Sequence, residues 1–196
     1  MKIPALFLAL TMSIFAAPSN ATLIDFIYTG SGSGSINGSD FSNVNFVITA
    51  QSDTNDIQAC GTTCNFINAL STNISIDGVG IFDFITETRT FSVNGIVGIA
   101  RAGTRGLDLF NVFSSALNFD LASSLAAVTA NAELTQWRSP AVNTSGGVLK
   151  FNNANIVGTF EAVMSGTSAP TAVSAPATLA LIVLGLFMLG LRRNKA

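Results

Sequence analysis

Histidine is absent from the sequence. Its absence excludes a Ser-His-Asp or Cys-His catalytic arrangement, and it removes the commonest metal ligand and the physiological pH switch. Charge is scarce: Asp, Glu, Lys and Arg make up 10% of the residues, against 48% hydrophobic ones. A disordered chain would be charge-rich and core-poor, so this composition describes a folded one. Tryptophan and tyrosine occur once each, as Trp137 and Tyr28, beside 15 phenylalanines. Sugar platforms rely on the flat faces of exposed Trp and Tyr, so a carbohydrate-binding module would have little to build with. The phenylalanines fit core filling better.

The length, 196 residues, suits one domain plus processing segments. Lys2 followed by the apolar stretch 3–17 reads as a secretory signal peptide. Ser19-Asn20-Ala21 offers small residues at −3 and −1, which places cleavage by signal peptidase after Ala21. The other small-residue site, Phe15-Ala16-Ala17, would leave Pro18 at +1 and is disfavoured.

At the other end, Ala177 to Leu191 are fifteen uncharged residues followed by Arg192, Arg193 and Lys195. As a helix they would reach about 22 Å, short of the about 30 Å of a bilayer core. Crossing requires drawing in Val173–Pro176, local thinning, or snorkelling of the basic flank. The basic end stays cytoplasmic, so the body is expected outside. A short apolar helix with a basic stop, behind a signal peptide, suits a tail that holds a protein until a processing enzyme acts.

The residues Val173-Ser174-Ala175-Pro176-Ala177-Thr178-Leu179-Ala180-Leu181, then Gly185, Leu186, Leu189, Gly190, Leu191 and Arg192-Arg193, resemble the PEP-CTERM sorting signal. That signal combines a Pro-Glu-Pro motif, a short Gly/Leu-rich membrane helix and an arginine cluster. Here Ser174 and Ala175 stand in place of the usual Pro and Glu, giving a Val-Ser-Ala-Pro form. The resemblance covers about the last 24 residues. It implies processing near Pro176 by exosortase, a membrane-embedded cysteine transpeptidase. It further implies a transient inner-membrane stage in a Gram-negative bacterium, then a cell-surface or extracellular location associated with exopolysaccharide and biofilm.

Between the two ends, residues 22–176 carry all eleven acidic residues but five basic ones (Arg89, Arg101, Arg105, Arg138 and Lys150), a net charge of −6. Such a body has no electrostatic reason to bind nucleic acid. Asn73–Ile76, Ile81–Ile85 and Thr90–Val93 alternate apolar with polar residues, the period of half-buried strands. Asn37-Gly38, Asp77-Gly78 and Asn94-Gly95 are hairpin signals, since a type I′ turn needs positive φ at both central residues. Further strands are expected at 23–29, 42–50, 96–101, 107–113, 147–151 and 156–164. The Ala-rich stretch Ser123–Trp137 permits a short helix. The expectation is an all-β, antiparallel β-sandwich or jelly-roll-like domain over 22–170 with a Phe-rich core, between the signal peptide (1–21) and a sorting tail (171–196).

Three short motifs carry more than one reading. In Thr29-Gly-Ser-Gly-Ser-Gly-Ser35 no helix pattern follows the glycines, so a phosphate cradle fails. Strict alternation would put glycine on one face of a strand, and with Asn37-Gly38 as the turn Gly34 falls opposite Phe41. Cys60-Gly-Thr-Thr-Cys64 lacks the C-x-x-C redox spacing and reads as a disulfide pinning a loop between two strands. Asp53-Thr54-Asn55-Asp56 has oxygens for calcium but neither the Gly nor the distal Glu of an EF-hand loop, and reads as a solvated turn. A carboxylate pair for glycoside hydrolysis is not singled out among eleven acids. The expectation is therefore an exported structural protein without catalytic activity, catalytic residues or cofactor. The rival readings are a carbohydrate-binding module and a simple membrane-anchored protein.

Overall fold

The structure is a computed structural model that describes residues 22–103 and 107–167, and these belong to one compact unit. Among them there are thirteen strands: β1 (Thr22–Ile36), β2 (Ser39–Asp53), β3 (Gln58–Gly61), β4 (Cys64–Asn68), β5 (Ser71–Ile76), β6 (Gly80–Asp83), β7 (Thr88–Val93), β8 (Ile96–Arg101), β9 (Asp108–Phe113), β10 (Leu125–Leu134), β11 (Val142–Thr144), β12 (Gly147–Phe151) and β13 (Ala154–Thr167). Every pairing is antiparallel. The ladder runs β3-β4-β7-β8-β9-β10-β13-β1-β2-β5-β6, with β12 on the far half of β1 and β11 on β12. Ala21, the segment 177–191 and the sorting motif fall outside the described residues.

The ladder doubles back on itself. Tyr28 on β1 donates its hydroxyl hydrogen toward both Gly98 O on β8 and Thr90 Oγ1 on β7, each at 3.0 Å. Along the ladder β13, β10 and β9 separate β1 from β8, so that contact exists only because two layers face each other. Thr72 on β5 and Thr88 on β7 meet across the same interior with hydroxyls 2.7 Å apart. β10 pairs with β13 along its length and with β9 at its end, which carries the sheet from one layer to the other. The result is a sandwich-like all-β fold.

Between the layers lies a chain of rings. Phe160 contacts Phe26 and Tyr28, Tyr28 contacts Phe110, Phe110 contacts Phe46, Phe46 contacts Phe151, and Phe151 contacts Trp137, with centroids 4.8–6.2 Å apart. All seven are fully buried. Aromatic burial of this size dominates core energetics, and the Phe-rich core expected from composition is present.

The Gly-Ser run is strand. On β1 the inward row Ile24, Phe26, Tyr28 continues as Gly30, Gly32 and Gly34, then Ile36. A methyl group on Gly30 would come 2.8 Å from the Phe46 ring, and one on Gly32 would come 3.0 Å from the Phe151 ring. The missing side chains therefore make room for cross-layer rings. Gly34 does pair with Phe41, yet the rings over the glycine row are those of Phe46 and Phe151, with Phe41 packed on Phe151.

Two of the three expected turns form as type I′. Asn37 (φ 48) with Gly38 (φ 85), and Asn94 (φ 48) with Gly95 (φ 78), have both central residues left-handed. Asp77-Gly78 corrects the third: only Gly78 (φ 72) is left-handed, and Ile76 pairs with Gly80 across a three-residue connection. The helix permitted at Ser123–Trp137 is also corrected, to strand β10. From Val128 onward Val128, Ala130, Ala132 and Leu134 face inward while Thr129, Asn131 and Glu133 face out. Small residues are needed there: a methyl on the neighbouring Gly158 would lie 2.6 Å from the Phe110 ring and 2.7 Å from Ala132 Cβ. Burial against both flanking strands outweighs the helix propensity of alanine.

Candidate functional site

Cys60 on β3 and Cys64 on β4 form a disulfide, with Cα atoms 5.0 Å apart. It pins the tip of the β3–β4 hairpin, as the sequence suggests. Asp53 caps the short turn Thr54–Asp56 by accepting a hydrogen bond from Asn55 N at 3.0 Å, which is the solvated turn. Val173, Ser174, Ala175, Pro176, Arg192, Arg193 and Lys195 lie outside the described residues, as does Ala21.

The two residues on which a sugar platform was conditional are interior. Trp137 and Tyr28 are both fully buried. Trp137 Nε1–H donates to Leu109 O at 2.7 Å, so the indole is an anchor for the segment after β10. Burial drives the Tyr28 phenol well above its ordinary pKa, outweighing the hydrogen bond to Thr90 that acts the other way. Neither ring offers a face to a ligand.

A different aromatic surface exists that the sequence reading missed. On the outer face of β4, β7 and β9, beside the disulfide, Cys60, Cys64, Phe66, Arg89, Phe91 and Asp108 line a cleft of about 420 Å3. Registers Phe66↔Phe91↔Gly98↔Asn111 put these residues in one row across four strands. The Arg89 guanidinium lies over the Phe66 ring, 5.2 Å from its centroid, a cation–π arrangement. The Phe91 ring covers Gly98. Asn111 Nδ2 donates to Asp108 Oδ2 at 3.2 Å, while its buried Oδ1 has no partner among the described residues. An apolar floor with one cation and one carboxylate at its rim can hold a small, mixed apolar and polar group. The alternation in Thr90–Val93 gave the outward face of β7, but pairing with Phe66 required the unread strand β4.

A buried cation, Arg101, stands at the end of β8. It is 4% exposed and donates from Nη2 to Pro140 O, and its Nε and Nη1 have no partner among the described residues. Desolvation lowers its pKa. With Trp137 held by Leu109 O and Pro140 held by Arg101, the short segment between them is fixed from both ends. No family model matches the chain, and neither a curated protein nor a solved structure is significantly similar to it.

Proposed function

We propose that the chain is a non-enzymatic cell-surface or extracellular-matrix protein, exported by its N-terminal signal and sorted through a PEP-CTERM-like tail. The observation that carries this reading is the tail: Val173-Ser174-Ala175-Pro176, fifteen uncharged residues and Arg192-Arg193. In this reading signal peptidase cuts after Ala21, residues 177–191 cross the inner membrane once, and exosortase acts near Pro176. The Cys60–Cys64 bridge supports export, because disulfides persist in oxidising compartments. The net charge of −6 on residues 22–176 argues against nucleic acid as a partner. The delivered unit is the all-β sandwich, of jelly-roll type.

A carbohydrate-binding role is the second reading. It no longer rests on Trp137 or Tyr28, and the observation favouring it is the cleft floored by Phe66 and Phe91. Mass spectrometry of the protein recovered from cell surface and medium, with and without the exosortase, tests the main reading. The expected result is a new C-terminus near Pro176 that depends on that enzyme. An intact Ala196 on every recovered molecule would reduce the chain to a membrane-anchored protein.

A further inference from the structure

Four lysine and arginine residues lie among the described residues, and their placement is uneven. Arg101 is buried and tied to Pro140, and Arg89 lies against Phe66. The remaining two, Arg138 and Lys150, are both exposed and both line a single cleft of about 420 Å3. Ser33, Ser35, Ser42 and Asn152 supply the rest of its polar wall, Asp40 its one carboxylate, and Phe41 an apolar edge.

The cleft sits where β1 exchanges neighbours. Its first half pairs with β13 and its last residues with β12. At one level Asp40, Ser35 and Lys150 stand side by side across β2, β1 and β12, about 5 Å apart from strand to strand. At the next level Ser33 Oγ lies 3.5 Å from Ser42 Oγ and accepts from Asn43 N at 2.9 Å. Asn152 N donates to Ser33 O at 2.8 Å, and Arg138 Nη2 donates to Asn152 Oδ1. Gly34 lets β12 come this close, because a side chain there would run into the Lys150 carbonyl. Arg138 is held as firmly, between buried Trp137 and the Pro140 carbonyl that Arg101 grips. Both cations therefore project from backbone that buried groups fix in place, which lowers the ordering cost of binding.

We propose that this cleft binds the carboxylate-bearing unit of a sugar chain, a uronate. The Arg138 fork and the Lys150 ammonium receive the carboxylate. The row of serine hydroxyls with Asn152 exchanges hydrogen bonds with ring hydroxyls, and Asp40 accepts from one of them. The surrounding field selects the class of anion. A body of net charge −6 repels densely charged polyanions at range, and Asp40 inside the cleft opposes a phosphate dianion. A singly charged unit spaced along a hydroxyl-rich chain meets neither objection.

The proposal deepens the surface reading by naming what residues 22–167 hold, and its test is independent of tail processing. Full-length chain in mild detergent is applied to immobilised oligogalacturonate and to a neutral glucan of equal length, at low and high salt. Retention on the uronate alone, weakened by salt, is expected. Arg138→Gln/Lys150→Gln should weaken it at least about tenfold, the order of one lost charge-assisted contact, with an unchanged dichroism spectrum. Asp40→Asn should alter it without abolishing it. Leu70→Ala, exposed and outside both clefts, should leave it unchanged. Equal retention on the neutral glucan, indifference to the double substitution, or displacement by inorganic phosphate at concentrations where monomeric galacturonate has no effect would each overturn the assignment. Tail processing detected by mass spectrometry would survive any of those failures.

Discussion

Tyr28 is the single tyrosine of the chain and is fully buried, so its ionisation reports on the fold without interference. Burial keeps the phenol neutral in the folded state well above its ordinary value of 10.0, which is where it ionises once unfolded. Above about pH 10 the unfolded chain has released a proton that the folded chain retains. Stability therefore is complete below about pH 10 and falls as pH rises past it, by about 1.4 kcal/mol per unit from this residue. Tyrosinate absorbance should be missing from the native protein at about pH 11 and appear together with unfolding. Tyr28→Phe should remove that part of the alkaline loss. At neutral pH it should cost about 1–3 kcal/mol in urea denaturation, because Thr90 Oγ1 and Gly98 O lose a buried partner. A tyrosinate signal from folded protein at that pH would contradict the burial. The sequence could flag Tyr28 as rare, but not as the bond between layers. That role depends on β7 and β8 folding over β1, which no local pattern encodes.

At the scale of elements, the β3–β4 hairpin depends on its bridge more than on its pairing, since β3 has four residues and its register with β4 shifts between Ala59 and Gly61. Closing a five-residue loop contributes about 2 kcal/mol in the chain-entropy model. Cys60→Ser/Cys64→Ser should lower stability by about that amount while leaving far-ultraviolet dichroism unchanged. Hydrogen exchange should accelerate at residues 58–66 and not at β7. Acceleration spread over the whole sandwich would show the bridge holding more than its hairpin. The same hairpin marks where sequence reading ran out. Gln58–Gly61 carries no alternation, so a loop between two strands is legible from the cysteine spacing while the bounds and register of those strands are not. Asn37-Gly38 and Asn94-Gly95 were legible because I′ geometry is written in two residues. β10 was not, because alanine stands both where the strand packs closely on Gly158 of β13 and where it faces water. Composition reports the abundance of alanine, and only the packing tells the two uses apart. The basic cleft was hidden for a similar reason. Ser33, Arg138 and Lys150 are far apart in the chain and meet through the β1–β12 register.

In the whole molecule, the first and last strands of the unit are neighbours: Thr22 pairs with Thr167 and Thr29 with Thr159. β13 is also the partner of β10, so it sits in the middle of the ladder and joins the two layers on either side of it. A chain lacking β13 has no partner for that side of β1 and loses the Phe160 ring that packs on Phe26 and Tyr28. The fold therefore cannot close until Ala154–Thr167 has emerged. A chain stopped after Ser168 should keep a β-rich dichroism spectrum, a cooperative urea transition and resistance to protease. A chain stopped after Asn153 should lose all three. This division matters to the processing reading, because Pro176 lies nine residues past Thr167, the end of the last strand. Release would then leave the sandwich, its disulfide and both clefts as they were. If the chain ending at Ser168 failed to fold while the full chain folded, residues beyond 168 would be part of the stable unit. Cleavage near Pro176 would then have to be read as a step that alters the delivered protein as well as freeing it.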